Sequence, residues 1–520
     1  MLRAIALMST CAVLALTAAA CGQSASSADG DPASLAPADA PVYAQVAVRP
    51  EGQRRDDALA AAGKLLRTDD PAGRLRELFD EGLAEQGGGF TWEKDFAPWI
   101  GEEAGIWASN IETDAPSFAA IVQVRDAEAA RAALQRAEQD GGGANEKRSH
   151  RGVEYQVDAD GTASGIVDEF FVIGTEAAFK RTVDVREGGE TLADSDRYAN
   201  AMGELEGDRL GQFYIDSKVL FDAAMRQDPA SAQQLEQFKS LFPFDKLGPT
   251  AGSFQADGDS LAVDSVLTGL PDGPLRMLTE VFSGGTELMP DLPGDAWSAF
   301  AVPKVGEAAN GVFTSIAGAI GGAAVAAQVK QATGLDLEQD VFSWVGDVGV
   351  FVRGASEPAL DGALVIESTD DGKAAAAFGK IIGLIDKEAA VRPEPIRIAG
   401  AQSAFSLSAA PAVDKPFVLA RGEGRVVAAY GEAGAKAALD PSTRLGDSEL
   451  YADAKDALAD GMEPGFVLSM PAVVALVDAI GQADADYAAA KPYLETLGAI
   501  TTGGTVDGDT AKSRIAVTLK

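Results

Sequence analysis

The stretch Trp99-Ile100-Gly101-Glu102-Glu103-Ala104-Gly105-Ile106-Trp107 has a second copy, because Trp344-Val345-Gly346-Asp347-Val348-Gly349-Val350-Phe351 repeats its pattern 245 residues later. Each copy contains a tryptophan, an apolar residue, a glycine and an acid, followed by an apolar run typical of a buried strand. A turn that leads directly into a strand fixes where that strand begins. The repeated pattern therefore predicts two copies of one structural unit.

Further matched segments follow the same order in both halves. The closest match pairs residues 192–198 with residues 445–451, and each half ends in an Asp-Gly-Asp hairpin signal, at 257–259 and 507–509. Strands joined by hairpins and alternating with helices predict an α+β fold with two tandem homologous units, each a mostly antiparallel sheet with helices packed on one face. We expect repeat unit 1 over 35–270, a linker over 271–291 and repeat unit 2 over 292–520.

The composition limits the possible functions. The chain has 520 residues, of which 46% are hydrophobic, and this is enough apolar material for two cores. The formal net charge of -36 repels nucleic acid and anionic membrane surfaces, so neither is expected as a direct partner. His150 is the only histidine, which excludes a multi-histidine metal site and a repeated Ser-His-Asp triad. An enzyme that depends on carboxylates, lysine or tyrosine remains open.

The N-terminus is typical of an export signal. Residues 1–20 contain the basic Arg3, an apolar core and a small-residue cleavage site, and Cys21 follows directly. We therefore expect a lipoprotein signal peptide, acylation of Cys21 and a lipid-anchored, extracytoplasmic protein at the outer face of the cell membrane. Ala18 stands where such signals usually have leucine, and this residue also suits ordinary signal peptidase.

The cysteine count favours lipidation over that alternative. Cys11 would leave with the signal peptide, so Cys21 would be the one cysteine of the mature chain and could form no internal disulfide. Lipidation explains an unpaired cysteine at this place better than a free thiol on a secreted protein does. Residues 21–34 are small and polar without an apolar period, and we expect them to form a flexible tether.

The segment 311–329 is a second candidate for membrane contact. It carries few charges and includes the Gly318-x-x-x-Gly322 spacing of packed transmembrane helices. It is barely long enough to span a bilayer, however, and it is rich in alanine and glycine rather than leucine. A small-residue helix packed on a sheet is the preferred interpretation.

The acids of the repeated turns are candidate site residues. Glu102 and Glu103 form a carboxylate pair after Gly101, and Asp347 occupies the corresponding place in the second copy. Such a pair could transfer protons or bind a cation. The preferred interpretation is structural, with the acids bonded to main-chain N–H groups and with Trp99 and Trp344 packed in the core.

Tyr198 and Tyr451 are candidates for exposed binding aromatics, although packing at the start of a helix is the preferred interpretation. The two Asp-Gly-Asp segments lack the following glutamate of a calcium loop, so hairpin turns are preferred there. We expect no metal site, no cofactor and no catalytic residue.

The mature chain resembles an uncharacterised family of predicted bacterial lipoproteins that is known as a domain of unknown function. The residues that carry the resemblance are the opening at 35–41, the turn Trp99-x-Gly101-Glu102-Glu103, and the helix entry Val124-Arg125-Asp126, and unit 1 matches best. The resemblance implies an anchored extracytoplasmic protein. It assigns no catalytic residue.

These observations predict a non-catalytic protein that acts by binding an envelope protein or an apolar ligand through its two-lobed body. Two similar lobes create a natural cleft between them. Two alternatives remain open, a carrier of lipid or another apolar ligand and an enzyme that depends on carboxylates. A deep apolar cavity would favour the carrier, and convergent acids with perturbed pKa values would favour the enzyme.

Overall fold

The structure is a computed structural model that describes residues 30–520 except 86–88, 111–115, 141–144, 228–242, 321, 389–391, 408–413 and 482–483. The expected signal peptide and Cys21 therefore lie outside the described residues. The chain divides into two compact units, and the boundary between them falls between Gly269 and Leu270.

Ten strands in the described part of unit 1 form one antiparallel sheet, in the spatial order β4-β5-β6-β7-β3-β2-β1-β8-β9-β10. The strands are β1 Val42–Ala47, β2 Ile100–Ser109, β3 Ser117–Val124, β4 Glu146–His150, β5 Val153–Val157, β6 Thr162–Val167, β7 Phe170–Thr175, β8 Gly211–Ile215, β9 Thr250–Ala256 and β10 Ser260–Leu267. The helices are α1 Gly52–Leu66, α2 Pro71–Glu85, α3 Ala127–Asp140, α4 Glu176–Arg186, α5 Asp196–Gly203 and α6 Ser217–Gln227.

Unit 2 has the equivalent strand order, β14-β15-β16-β17-β13-β12-β11-β18-β19-β20, again with antiparallel neighbours. The strands are β11 Ala296–Val302, β12 Val345–Arg353, β13 Asp361–Ser368, β14 Pro393–Ile396, β15 Ser403–Leu407, β16 Phe417–Arg421, β17 Arg425–Tyr430, β18 Pro464–Ser469, β19 Leu497–Asp507 and β20 Thr510–Leu519. The helices are α7 Pro274–Ser283, α8 Leu288–Asp291, α9 Val305–Ile320, α10 Gly322–Thr333, α11 Asp371–Glu388, α12 Glu432–Leu439, α13 Glu449–Asp456, α14 Met470–Ile480 and α15 Ala485–Leu494.

The α+β class with an antiparallel sheet is confirmed, but the helices cover both faces of the unit 1 sheet rather than one. Neighbouring residues of a strand point to opposite faces. Ile121 packs into a core with Phe179 of α4, whereas Val122 lies against a second core that contains Phe79 of α2 and Ala130 of α3. Strand β3 is apolar on both faces, and this pattern is typical of a strand with two buried faces.

Local signals in the sequence explain several element boundaries. Asp126 caps α3 by accepting the main-chain N–H groups of Glu128 at 3.0 Å and Ala129 at 2.9 Å. At the expected hairpin between β9 and β10, the carboxylate of Asp257 accepts the N–H of Asp259 at 3.0 Å, and Gly258 takes a positive φ of 87°. The predicted hairpin turn at 257–259 is therefore observed, and α3 begins directly after the helix entry Val124-Arg125-Asp126.

The expected tether over 21–34 extends too far. Residues Pro32–Leu35 form a 3-10 turn that begins at Asp31, whose carboxylate accepts the N–H of Ala33 at 2.9 Å. Ala33 and Leu35 belong to the buried core of unit 1. These residues are buried one at a time and not along one face of a regular helix or strand. Hydrophobic periodicity in the sequence therefore does not reveal their burial.

The expected linker over 271–291 is also part of a folded unit. Leu288 and Met289 of α8 are fully buried in the core of unit 2, and α7 packs against β19. The segment 311–329 falls on α9 and α10, and α9 packs against α7 and β12. Within the described ranges, no helix has both the length and the apolar character needed to cross a membrane.

Candidate functional site

The two repeated tryptophan turns have the same internal geometry. Trp99 is 7% exposed and its indole Nε1 donates to the carbonyl oxygen of Asp95 at 2.6 Å, while Trp344 is 3% exposed and donates to the carbonyl oxygen of Asp340 at 2.8 Å. Both aspartates lie in a π-helical turn that precedes the tryptophan. The tryptophan rings are therefore held inside the units and are not presented to a ligand.

The carboxylates of these two aspartates fasten each turn to a neighbouring helix. Asp95 accepts the N–H of Thr91 at 2.9 Å and forms an ion pair with Arg136 of α3 at 2.9 Å. Asp340 accepts a main-chain N–H four residues earlier at 2.9 Å and forms an ion pair with Lys380 of α11 at 2.7 Å. The sequence interpretation missed both residues, although their common distance from the tryptophans was a usable signal.

The acids after the repeated glycine do not form a carboxylate pair that faces solvent. Glu103 accepts a hydrogen bond from Nε2 of Gln45 at 2.6 Å, and its partial burial raises the pKa of its carboxyl group. Glu102 takes part through its main-chain oxygen, which accepts two N–H groups of the segment that follows β1. Asp347 accepts the N–H of Lys304 at 3.0 Å. These contacts are those of turn and sheet residues.

Tyr198 lies in a buried polar network on one face of the unit 1 sheet. Its hydroxyl accepts from Gln212 at 3.4 Å, and its ring meets Tyr43 edge to face at 5.8 Å. Tyr43 donates its hydroxyl to Oε1 of Gln45 at 2.9 Å, and burial raises the pKa of Tyr43 well above its ordinary value. Burial likewise raises the pKa of Tyr198.

Tyr451 has a similar environment in unit 2. It is 9% exposed, it donates its hydroxyl to Glu463 at 3.4 Å, and burial raises its pKa to about 12. A protonated, buried phenol is suited to packing and is a poor proton acceptor at neutral pH. Both predicted tyrosines therefore stabilise the start of a helix against its sheet.

An open groove of about 800 Å³ lies elsewhere in unit 1, between α3 and strands β4 to β6. Its volume is in the range of ligand pockets in proteins. The residues that line the groove include two acids, Glu154 and Asp168, and five basic residues, which are Arg131, Lys147, Arg148, Arg151 and Arg186. The charged groups of Arg148 and Arg151 pair with Glu176 and Asp184 of α4, so Arg131, Lys147 and Arg186 are the cations that remain on the groove side. A surplus of cations is unusual on a chain with a net charge of -36.

Two of these cations are available to a ligand. Arg186 forms a two-pronged ion pair with Asp168, with distances of 2.6 and 2.7 Å. Arg131 and Lys147 are exposed and form no ion pair with a residue that the structure describes. Because an unpaired cation gives up no protein contact when it binds an anion, these two side chains define the candidate binding site.

The opposite face of the groove's outer strand is fixed by ion pairs. Arg148 of β4 binds Glu176 of α4 at 2.5 Å, and His150 lies 2.8 Å from Asp184 of the same helix. Tyr155 of β5 donates its hydroxyl to Glu176 at 2.9 Å. Hydrogen bonds from Lys180, Arg148 and Tyr155 lower the pKa of Glu176 to about 2. The strand that borders the groove is thus held in place before any ligand binds.

A small apolar pocket also lies in unit 1, and the described residues contain no metal cluster. A pocket between α1 and the β9–β10 hairpin, lined by residues such as Ala58 and Phe254, measures about 20 Å³, which is room for about one water molecule. Among the described residues, no group of three or more histidine, cysteine or acidic side chains is arranged to hold a metal ion.

Residues 1–243 match the family described as Protein of unknown function (DUF3352). The expected resemblance to an uncharacterised family is confirmed over this range, which includes β1 to β8 of unit 1 but not unit 2. No curated protein matches the chain.

Solved structures of TP0453 show a weak likeness. Crystal form III is 12% identical with a TM-score of 0.27, and the match covers 50% of this chain and 91% of that chain. Crystal form IV is 12% identical with a TM-score of 0.25, and the match covers 46% of this chain and 81% of that chain. A likeness at this level assigns no function.

Sequence interpretation did not identify the groove. Its basic residues come from α3, from the end of α4 and from a run at 146–151 that includes Lys147, Arg148 and Arg151. This run was a signal, because three basic residues in six are conspicuous in so acidic a chain. Arg131 is distant from this run in the sequence, and only the fold brings it to the same groove.

Proposed function

We propose that the protein is a non-catalytic binding protein that is anchored by lipid on Cys21 at the outer face of the cell membrane, and that the groove of unit 1 binds an acidic segment of another envelope protein. The observation that carries this proposal is the pair of unpaired cations, Arg131 and Lys147, in a groove of about 800 Å³. Such a groove suits a carboxylate-rich ligand.

The strongly negative charge of the chain does not prevent this binding. The Debye length at physiological ionic strength is about 8 Å, so carboxylates farther from the groove are largely screened. A ligand inside the groove interacts mainly with the side chains that line it. Local charge therefore decides which ligand the groove accepts, and here Arg131 and Lys147 carry charges that no described carboxylate neutralises.

The anchor hypothesis agrees with the position of the first described residues. Packing of Leu35 and Ala33 into the core leaves residues 22–29 and Gly30 between Cys21 and the folded unit. Nine residues reach at most about 30 Å when fully extended. Under this proposal, unit 1 acts close to the membrane surface, where a partner in the same envelope layer is accessible.

The apolar carrier and the enzyme that depends on carboxylates are less well supported. The apolar pocket at Ala58 has about 20 Å³, which is too small for an acyl chain. Glu103 is an acid with a raised pKa, but it is hydrogen bonded to Gln45 within the sheet instead of facing a cleft with other acids. Binding by the unit 1 groove is the function that the geometry favours.

The anchor is tested by mass spectrometry of the mature N-terminus from a membrane fraction. The expected result is a chain that begins at an acylated Cys21. A Cys21→Ser variant should lose the acyl mass and leave the membrane fraction. An unmodified cysteine on a chain released into the medium would contradict the anchor and leave the groove proposal standing.

The groove is tested with a fluorescent glutamate-rich peptide and measurement of anisotropy at physiological salt. We expect Arg131→Glu combined with Lys147→Glu to weaken binding at least about fivefold, because two favourable charge contacts become repulsive. The control combines Lys387→Glu with Lys436→Glu, which makes the same charge change at exposed sites of unit 2. Equal weakening in both double variants, or binding of anionic vesicles without binding of the peptide, would contradict the proposal.

A further inference from the structure

We infer that the acidic partner binds as an extended strand that adds to the free edge of β4, and this inference rests on the proposed function of the groove. Strand β4 lies at one end of the unit 1 sheet and pairs with β5 alone among the described strands. An edge strand offers a row of main-chain donors and acceptors to another chain. Here that row borders the cationic groove.

The turn between β4 and β5 identifies the main-chain atoms that are free. Arg151 and Gly152 have φ angles of 47° and 85°, which is typical of a two-residue type I′ turn. The flanking residues His150 and Val153 are paired across the turn, and such a turn closes with a hydrogen bond between its first and last residues. Hydrogen-bonded and non-hydrogen-bonded pairs then alternate along the strands.

This alternation makes Lys147 and Ser149 the outward-facing residues of β4. They stand opposite Gln156 and Glu154 in the two non-hydrogen-bonded pairs, so their N–H and C=O groups point away from β5. An added strand would use these four groups. The main chain of β4 thus supplies the affinity common to all extended ligands, while the groove selects among them.

The side chains of the same two residues give the selectivity. Lys147 and Ser149 line the groove together with Arg131 of α3. Side chains directly opposite each other on adjacent strands have Cβ atoms about 5 Å apart, so every second residue of an added strand would lie beside these groups. Carboxylates at those alternate positions would meet Lys147 and Arg131. The ligand is therefore an extended segment with an acid at every second residue.

Side-chain contacts with α4 support β4 as a template. Its other face is fixed to α4 through the contacts of Arg148 with Glu176 and of His150 with Asp184. A preorganised edge loses little conformational entropy when a ligand binds.

The corresponding edge of unit 2 is closed to the same ligand. Strand β14 reads Pro393-Glu394-Pro395-Ile396 and pairs with β15 on one side. Proline has no N–H group, so this edge lacks two donors, and the exposed Glu394 would repel an acidic strand. We therefore expect one binding site for such a segment in each chain.

The test uses the Ser149→Pro variant of the full chain, which gives β4 the chemistry of β14, with Ser149→Ala as the matched control. The probe is a fluorescent peptide of alternating glutamate and valine. Loss of an outward N–H group and the bulk of the proline ring should weaken binding at least about fivefold, whereas the alanine variant should bind as the native chain does.

A second measurement does not depend on the folding of a variant. The same peptide, N-methylated at alternate residues in each of the two possible phases, is titrated into the native chain. One phase should bind at least about fivefold more weakly than the other, because only one phase places its N–H groups toward β4. Charge and composition are identical in the two peptides.

The outcomes separate this inference from the proposed function. Weaker binding of the Arg131→Glu and Lys147→Glu double variant, with unchanged binding of Ser149→Pro and of both methylated peptides, would overturn strand addition and retain the groove. Unchanged binding in all of these experiments would overturn both. If Ser149→Pro fails to fold, the methylated peptides decide the question.

Discussion

Replacement of Leu35 by alanine distinguishes a structural N-terminal segment from a tether. Leu35 is 4% exposed and belongs to the same buried core of unit 1 as Ala33 and Tyr43. Truncation of a buried leucine to alanine costs about 2–5 kcal/mol, because transfer free energy is lost and a cavity remains. The same core contains eight alanines and seven aromatic residues, which can fill little of the space that leucine leaves, so we expect a loss of about 3 kcal/mol.

Amide hydrogen exchange followed by mass spectrometry is the appropriate assay, because it reports the stability of each unit separately. The opening free energy of β1 to β3 should fall in Leu35→Ala, while that of β11 to β13 stays constant. The matched control is Leu292→Ala, since Leu292 is buried in the core of unit 2 and should show the opposite pattern. A loss below about 0.5 kcal/mol in unit 1 would refute the reasoning, because tether residues and other exposed sites respond in that range.

Three further predictions concern buried and paired carboxylates. Asp95→Ala should destabilise unit 1 by about 1–3 kcal/mol because its main-chain and ion-pair partners lose their acceptor, and Asp340→Ala should destabilise unit 2 for the same reason. Hydrogen exchange of each unit measures both effects. Equal effects of one variant on both units would contradict this prediction. The pKa of Glu176 is lowered to about 2, so its contribution to stability is present above about pH 4.3 and is lost as the pH falls toward 2. In an acid titration, the Glu176→Gln variant should therefore lose less stability than the native chain. The pKa of Glu103 is raised by burial, so its charged form lowers the stability of unit 1 at neutral pH. Glu103→Gln should therefore stabilise unit 1 at pH 7, and this gain should vanish below about pH 4. A variant that is less stable than the native chain at pH 7 would disprove the prediction.

The internal duplication remains a prediction, and the described contacts support it. The two sheets have the same strand order. Trp99 and Trp344 donate to aspartates at the same spacing. Leu192 donates its N–H group to the carbonyl oxygen of Ala36 at 2.8 Å, and Leu445 donates to that of Leu292 at 2.7 Å. Equivalent contacts at so many places are expected of two units with a common origin.

The groove is the clearest difference between the units. Strand β4 carries Lys147 and free main-chain donors, whereas β14 carries Pro393 and Pro395. One unit therefore retains an edge that can pair, and the other has the proline residues by which proteins block edge pairing. Under the proposed function, the acidic segment therefore binds to unit 1 and not to the corresponding edge of unit 2.

The sequence by itself determined the class of the fold and many of its element boundaries. Alternating apolar residues, the Asp-Gly turns and the cap at Asp126 act over a few residues, so their consequences can be read without knowledge of distant contacts. The repeated tryptophan turn likewise predicted the position of β2 and β12. These signals act between residues that are close in the chain, so they can be recognised from the sequence alone.

Only the tertiary structure decided which residues belong together. Glu102 and Glu103 are adjacent in sequence, yet Glu103 joins a buried network with Gln45 while Glu102 bonds through its main chain. Arg131 and Lys147 are separated by 16 positions, yet they line one groove that lies between α3 and β4. Packing sets the burial, and burial sets the pKa values and the availability of each charge. The spacing of residues along the chain does not predict which side chains are buried or which charges stay unpaired.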